Sequence, residues 1–239
     1  MKIWLFALCY NEERILPFFL QHYSPIVDKM IFIDAGSTDA THAILRSNAK
    51  SEMQLMIREI DDKWYAEFCS EYYQKMRGYA DWIIWVDCDE FIYSEANLRW
   101  MLSEDVSPFL TKGFQMVSDK FPASGAPITQ QIKRGIEDSV YDKFCIFDSS
   151  IKVHWHPGRH DADYPYDRAS LANQSHVKLL HYRFLGAEYF QWRNQRNYNH
   201  MTKENIEAGR GFQTYPDYTE GKYSLKWFED RLLAAEEVI

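Results

Sequence analysis

Residues 82–93 read WIIWVDCDEFIY, a short apolar run that ends in three carboxylates. Trp82 to Val86 are aromatic and β-branched without a break, the pattern of a strand covered on both faces inside a parallel sheet. Asp87, Asp89 and Glu90 then crowd like charges at its C-terminal end. Carboxylates this close repel, and burying them unpaired is costly. The stretch therefore predicts a cation. In open α/β sheets the carboxyl ends of the strands are also where ligands bind.

Outward from this run, strands alternate with helices. Ile3 to Cys9, Met30 to Ile33 and Met53 to Ile60 have strand composition, and amphipathic segments near Ile15 to His22 and Trp64 to Tyr79 suit helices. Between them, AGSTDAT at 35–41 combines a turn glycine, Gly36, with the N-cap residues Ser37 to Asp39, opening a helix that runs to Leu45. This rhythm predicts βαβ units, hence an α/β fold with a central, mostly parallel sheet flanked by helices. After about residue 105 the rhythm changes. Gly113 to Ser118, Phe144 to Phe147, Ile151 to His154 and Val177 to Tyr182 read as strands. Residues 121–142 read as a loop-rich excursion and HPGRHDADYPYDR at 156–168 as a mobile loop. Ala187 to Ile206 and Ser224 to Val238 read as helices.

The chain has 239 residues, 46% hydrophobic and 16% aromatic, enough to bury one large core. A net charge of -8 argues against nucleic acid as a partner. Cys9, Cys69, Cys88 and Cys145 show no paired spacing and read as buried thiols in a reducing compartment. The opening MKIWLFALCYNEER has an apolar run, but it stops at Asn11-Glu12-Glu13 with no small-residue cleavage site, so it reads as a first strand. No apolar stretch approaches the roughly 18 residues of a membrane span. A cytoplasmic protein is expected.

Three motifs occur in order, each at the end of a predicted strand: CYNEE at 9–13, IDAGSTDAT at 33–41 and WVDCDEF at 85–91. Together they resemble glycosyltransferases of the GT-A fold, particularly family-two-like enzymes of a bacterial subgroup whose closing segment is similar to LLHYRFLGAEYF at 179–190. The resemblance is good over residues 1 to about 95 and much thinner over 105–175. It implies one Rossmann-like domain with a nucleotide-binding half (1–105), a loop-rich acceptor-binding half (106–185) and C-terminal helices (186–239). It further implies a UDP-, GDP- or dTDP-sugar donor, a glycan or lipid-linked glycan acceptor, and a setting in polysaccharide or lipopolysaccharide synthesis. Peripheral membrane association is compatible with such an acceptor.

A sugar leaving a nucleoside diphosphate builds negative charge on the diphosphate, which a divalent cation offsets. Asp87 and Asp89, two apart on extended chain, point to one side. By resemblance Asp89 ligates Mn²⁺ or Mg²⁺, Asp87 contacts the metal or ribose, and Cys88 lies against the donor. His181 is the candidate to complete the metal shell, against the alternative of a core histidine bonded to backbone. Arg183 would meet the diphosphate, against an ordinary surface salt bridge. Of the Tyr10-Asn11 turn, Tyr10 can stack on the base, and Asp34 can accept a hydrogen bond from it. Many relatives carry a second acid where this chain has Ala35. Arg77 is a further nucleotide candidate or a solvated helix position.

For the base that deprotonates the acceptor, the sequence offers Asp119, at the end of a predicted strand, then His160, with Asp161, Asp163 and the Glu137-Asp138 pair behind them. HWHPGRH at 154–160 has no Cys or His-Glu-x-x-His context for zinc and reads better as an acceptor-binding loop. Two rival readings stand beside the transferase. A sugar-nucleotide nucleotidyltransferase would need a glycine-rich N-terminal loop that FALCYNEER lacks, and an inactive binding module would have no need of DCDEF.

Overall fold

The computed structural model describes residues 1–103, 110–165, 176–215 and 222–239. Strands β1 (Ile3–Cys9), β2 (Lys29–Asp34), β3 (Ser51–Leu55) and β4 (Trp82–Asp87) form the parallel part of a five-stranded sheet. Its order is β3-β2-β1-β4-β8, with β8 (Ile146–Asp148) antiparallel at the edge. The helices α1 (Leu16–Tyr23), α2 (Thr41–Ser47) and α3 (Asp62–Tyr72) make the crossovers. Alternation along β1 shows why both sheet faces are apolar. Leu5, Ala7 and Cys9 pack in the core that holds α1, while Phe6 packs in the core that holds α3. All five residues from Trp82 to Val86 are buried, as a doubly covered strand requires.

The second sheet has the order β12-β7-β6-β11-β5. It contains β5 (Glu90–Ser94), β6 (Lys112–Ser118), β7 (Arg134–Glu137), β11 (Val177–Leu185) and β12 (Glu236–Glu237). A small hairpin of β9 (His154–Trp155) and β10 (Ala162–Asp163) stands apart from both sheets. Further helices are α4 (Leu98–Ser103), α5 (Ile128–Gln131), α6 (Ala187–Asn199), α7 (Lys203–Glu207) and α8 (Lys222–Ala234). Only Cys88 and Asp89 separate β4 in the first sheet from β5 in the second. The acidic run is thus the corner where the chain passes between sheets. Within β11 the register slips between His181 and Phe184, a bulge that breaks simple alternation at Tyr182 and Arg183.

The α/β architecture and mostly parallel sheet are those the sequence predicts, and the local differences have physical causes. The third strand stops at Leu55 rather than Ile60. The long helix expected to Tyr79 ends as α at Tyr72 and continues as a 3₁₀ turn over Tyr73–Met76. The helix expected from Ala187 to Ile206 is two, because the Thr202 side chain accepts from Asn205 N–H and starts a new helix. Of the predicted mobile loop, residues 156–165 are described and include one hairpin strand, and the last three lie outside the described residues. Among the described residues no helix is long and apolar enough to cross a membrane.

Gly113 in β6 lies directly against Tyr141, in the 3₁₀ turn Ser139–Tyr141. A Cβ there would stand 2.4 Å from the carbonyl carbon of Tyr141 and 2.5 Å from its Cβ. Gly113→Ala should therefore destabilise by about 1–3 kcal/mol through overpacking. The urea midpoint should fall with an unchanged slope, and an unmoved midpoint would show that this approach is not tight.

Candidate active site

Along the first sheet, β2 and β3 follow β1 to one side and β4 lies on the other. The carboxyl ends of β1 and β4 therefore flank the switch point at which open α/β sheets hold ligands. A cleft of about 980 Å³ opens there, lined by Leu8, Cys9 and Tyr10 from one strand end and Asp87, Cys88 and Asp89 from the other.

The carboxylates of the corner are met one by one. Arg159 Nη2 donates to Asp87 Oδ1 at 2.5 Å. Arg193, on α6, donates to Asp89 Oδ2. Lys143, just before β8, pairs with Glu90 Oε1, whose other oxygen accepts from Asp87 N–H at 3.0 Å. A fourth pair lies beside them, with Arg196 Nη2 on Glu12 Oε1 at 2.9 Å and Arg196 Nη1 on the Asn11 carbonyl at 2.5 Å. Burial opposes the charge on Asp87 and Asp89. The neighbouring cations outweigh it, chiefly Arg159 at Asp87 and Arg193 at Asp89, so both carboxyls lie below the usual range. At Glu12 burial wins over Arg196 and pushes the carboxyl up. Arg159 adopts φ 56° beside Gly158 at φ 83°. A non-glycine residue in this region is strained, and here the strained turn is the one that carries the Asp87 partner.

His181 sits on β11 opposite Glu90 and Gln115. Its Nδ1 donates to Gln115 Oε1 at 2.8 Å, and its Nε2 faces Asp89 Oδ2 at 3.2 Å. Gln115 Nε2 in turn donates to Asp138 Oδ2 at 3.1 Å. A polar chain therefore runs from Asp138 through Gln115 and His181 to Asp89. Tyr141 stacks on the His181 ring at 4.3 Å and meets the His160 ring edge-on at 4.9 Å. Burial, helped by the charge of Lys143, pushes His160 down to about 3.

Of the residues expected from the sequence, Tyr10, Asp87, Cys88, Asp89, His160, His181 and Arg183 line this cleft. Arg183 is buried, donates to Asn194 Oδ1 at 2.8 Å, and is pushed down to about 10 by that burial and by Arg193. Four others are placed elsewhere. Asp34 is fully buried and accepts from its own turn, from Gly36 N–H, Ser37 N–H and Ser37 Oγ, with His42 Nε2 at 2.8 Å. Asn11 also serves the loop, its Oδ1 accepting from Thr38 N–H at 2.7 Å. Arg77 precedes the amino end of β4, opposite the cleft, and donates to the Ser150 carbonyl. Asp119 is exposed on the turn after β6 and outside the lining.

The expected metal ligands share the cleft without forming a ligand set. Among the described residues no three His, Cys, Asp or Glu side chains are grouped to hold a metal ion. Asp87 and Asp89 are instead turned to guanidinium groups, and both nitrogens of His181 face protein oxygens. Asp89 and His181 are in contact, but with Asp87 they make no preformed set for the predicted Mn²⁺ or Mg²⁺ among the described residues. The cation implied by the sequence is supplied here by arginine and lysine.

No family model matches the chain, and no curated protein matches it. Among solved structures it is similar to glucosyl-3-phosphoglycerate synthase from Mycobacterium tuberculosis in complex with Mn²⁺, uridine diphosphate and phosphoglyceric acid. There the identity is 18% over 48% of this chain and 43% of that one, with a TM-score of 0.34. The chain thus spans under half the length of that structure. It is also similar to 4-diphosphocytidyl-2C-methyl-D-erythritol synthase from Anaerococcus prevotii, at 9% identity over 62% and 70% of the two chains, with a TM-score of 0.36. Likenesses of this size assign no activity.

Sequence reading misses Arg159, Lys143, Arg193 and Arg196. A signal exists for the last two, which are three apart on a predicted helix and so share a face. Arg159 and Lys143 stand on irregular chain, where spacing says nothing about direction. Glu90 and Lys143 are both nearly inaccessible, with side-chain exposures of 2% and 7%. Lys143→Met should leave a buried charge unpaired and cost about 3–5 kcal/mol. Adding Glu90→Gln should recover most of that loss in urea unfolding. A single mutant as stable as the parent would mean that the pair is solvated.

Proposed function

We propose that this chain is a glycosyltransferase that moves a sugar from a nucleotide-sugar donor to an acceptor hydroxyl. The observation that carries the reading is the cleft at the β1/β4 switch point, which joins an aromatic side chain, Tyr10, to a cluster of buried basic groups. Tyr10 offers a stacking surface for a base, although its ring already stacks on His200 at 3.5 Å, so the base takes the other face or displaces the imidazole. Arg159, Arg193 and Arg196 supply countercharge for a diphosphate, and guanidinium groups do this through paired, charge-assisted bonds. The motif resemblance supports a UDP-, GDP- or dTDP-sugar and a glycan or lipid-linked glycan acceptor. It also supports the division into a nucleotide-binding half, an acceptor-binding half and C-terminal helices. The Mn²⁺ or Mg²⁺ of the same resemblance would be held by Asp89 with Asp87 or His181 and would offset charge on the leaving diphosphate, and the steps below describe only this chain's own groups.

In the proposed reaction the acceptor oxygen attacks the anomeric carbon as the bond from that carbon to the diphosphate oxygen breaks. The acceptor proton passes to a base, and the diphosphate leaves against the arginines. Asp138 is the base this geometry favours. It lines the cleft and is oriented by Gln115, whereas Asp119 lies outside. His160 also lines the cleft, but a group pushed down to about 3 holds a proton poorly.

Two experiments test this reading. A nucleoside diphosphate at a hundred times its dissociation constant should add about 2.7 kcal/mol to folding stability, a rise in melting temperature of roughly 5–10 °C. The rise should persist in EDTA and vanish in Arg193→Gln/Arg196→Gln. A shift seen only with Mn²⁺ would show that a metal displaces the arginines from Asp87 and Asp89, and no shift with any nucleoside diphosphate would end the transferase reading. Separately, Asp138→Asn should lower kcat by at least about a hundredfold while nucleotide binding is kept. Asp119→Asn should leave kcat alone, and the reverse outcome would move the base to Asp119.

A further inference from the structure

Apart from Arg183, which is buried and donates to Asn194 Oδ1, the cations of the cleft fall into two groups. Eight lysine and arginine side chains line it against seven aspartates and glutamates, in a chain where acids outnumber bases 35 to 27. The inner four are each in an ion pair: Arg159 with Asp87, Arg193 with Asp89, Lys143 with Glu90 and Arg196 with Glu12. Three more cations also line the cleft, Arg210, after α7, and Lys226 and Arg231 on the side of α8 that faces it. None of these three is in an ion pair with a described residue.

Their surroundings explain what they are suited to hold. Lys226, Trp227, Asp230 and Arg231 line the cleft together, the spacing of one helix edge, so α8 presents one carboxylate against two cations. Arg210 lies close enough to Asp62 for its charge to be felt there, but burial dominates at Asp62 and pushes that carboxyl up, weakening it as a counter-ion. The Arg231 guanidinium carbon lies 5.8 Å over the Phe184 ring. A ring contact engages the flat face of a guanidinium and leaves its in-plane donors for an anion. A carboxylate is satisfied by a single arginine fork, whereas three cations without an ion pair along one cleft supply the countercharge of a dianionic phosphate ester.

We infer that the acceptor carries a phosphate monoester, held in the cleft by Arg210, Lys226 and Arg231. The inference rests on the transferase reading for the word acceptor, but the anion site can be tested without turnover. Inorganic phosphate and glucose 6-phosphate are titrated into the full chain by calorimetry with a nucleoside diphosphate saturating the inner site, and glucose is run in parallel. Both phosphates should bind, with glucose at least about tenfold weaker. Arg210→Gln/Lys226→Gln/Arg231→Gln should weaken phosphate binding by at least about tenfold and leave nucleoside diphosphate affinity within about twofold. Should the triple variant not fold, Lys226→Gln at its exposed position should still weaken phosphate severalfold. Equal phosphate affinity in parent and variant, an adventitious ion only, overturns the inference, as does glucose binding as tightly as its phosphate. If phosphate binding depends on the three cations and no nucleoside diphosphate binds, the anion site stands and the transferase reading falls.

Discussion

The corner between β4 and β5 sets the terms for the rest of the molecule. Two residues carry the chain from one sheet into the other, and the corner holds Asp87, Asp89 and Glu90 close together, the last two almost wholly buried. Like charges cannot remain in such a place without partners. Each partner arrives on a different element: Arg159 on the loop before β10, Lys143 on the approach to β8 and Arg193 on α6. Satisfying the corner therefore ties distant parts of the chain to one point. The late helix α6 becomes part of the same cleft as the first strand, and Arg196 reinforces this by bonding the Asn11 carbonyl and Glu12.

The same pairing shapes the chemistry. Buried ion pairs contribute little net stability, because desolvation offsets most of their attraction. Their value here is positional. These pairs fix guanidinium groups at the ends of β1 and β4, so the proposed leaving diphosphate would meet charge that is already in place. The chain of Asp138, Gln115, His181 and Asp89 links the side of the cleft proposed for the acceptor to the side proposed for the donor. The cross-strand register of β6, β11 and β5 holds that chain, placing Gln115, His181 and Glu90 in one row.

The sequence by itself determined the α/β class and the parallel sheet, since alternating apolar strands and amphipathic helices have few other ways to bury their faces. It also located Asp87 and Asp89 at a strand end and Tyr10 at the end of the neighbouring strand, because register within one short segment is local information. Only the tertiary structure decided what meets these groups. Asp34, read as a base contact, spends its oxygens on its own turn and on His42. Asp119, first among the base candidates, falls outside the cleft, while Asp138, one of the lesser candidates, lines it. The cation demanded by the acidic run came from residues more than 50 positions away on irregular chain and a late helix. Charge complementarity of that kind acts through space at a few ångströms, and no periodicity in the chain records which distant side chain will reach it.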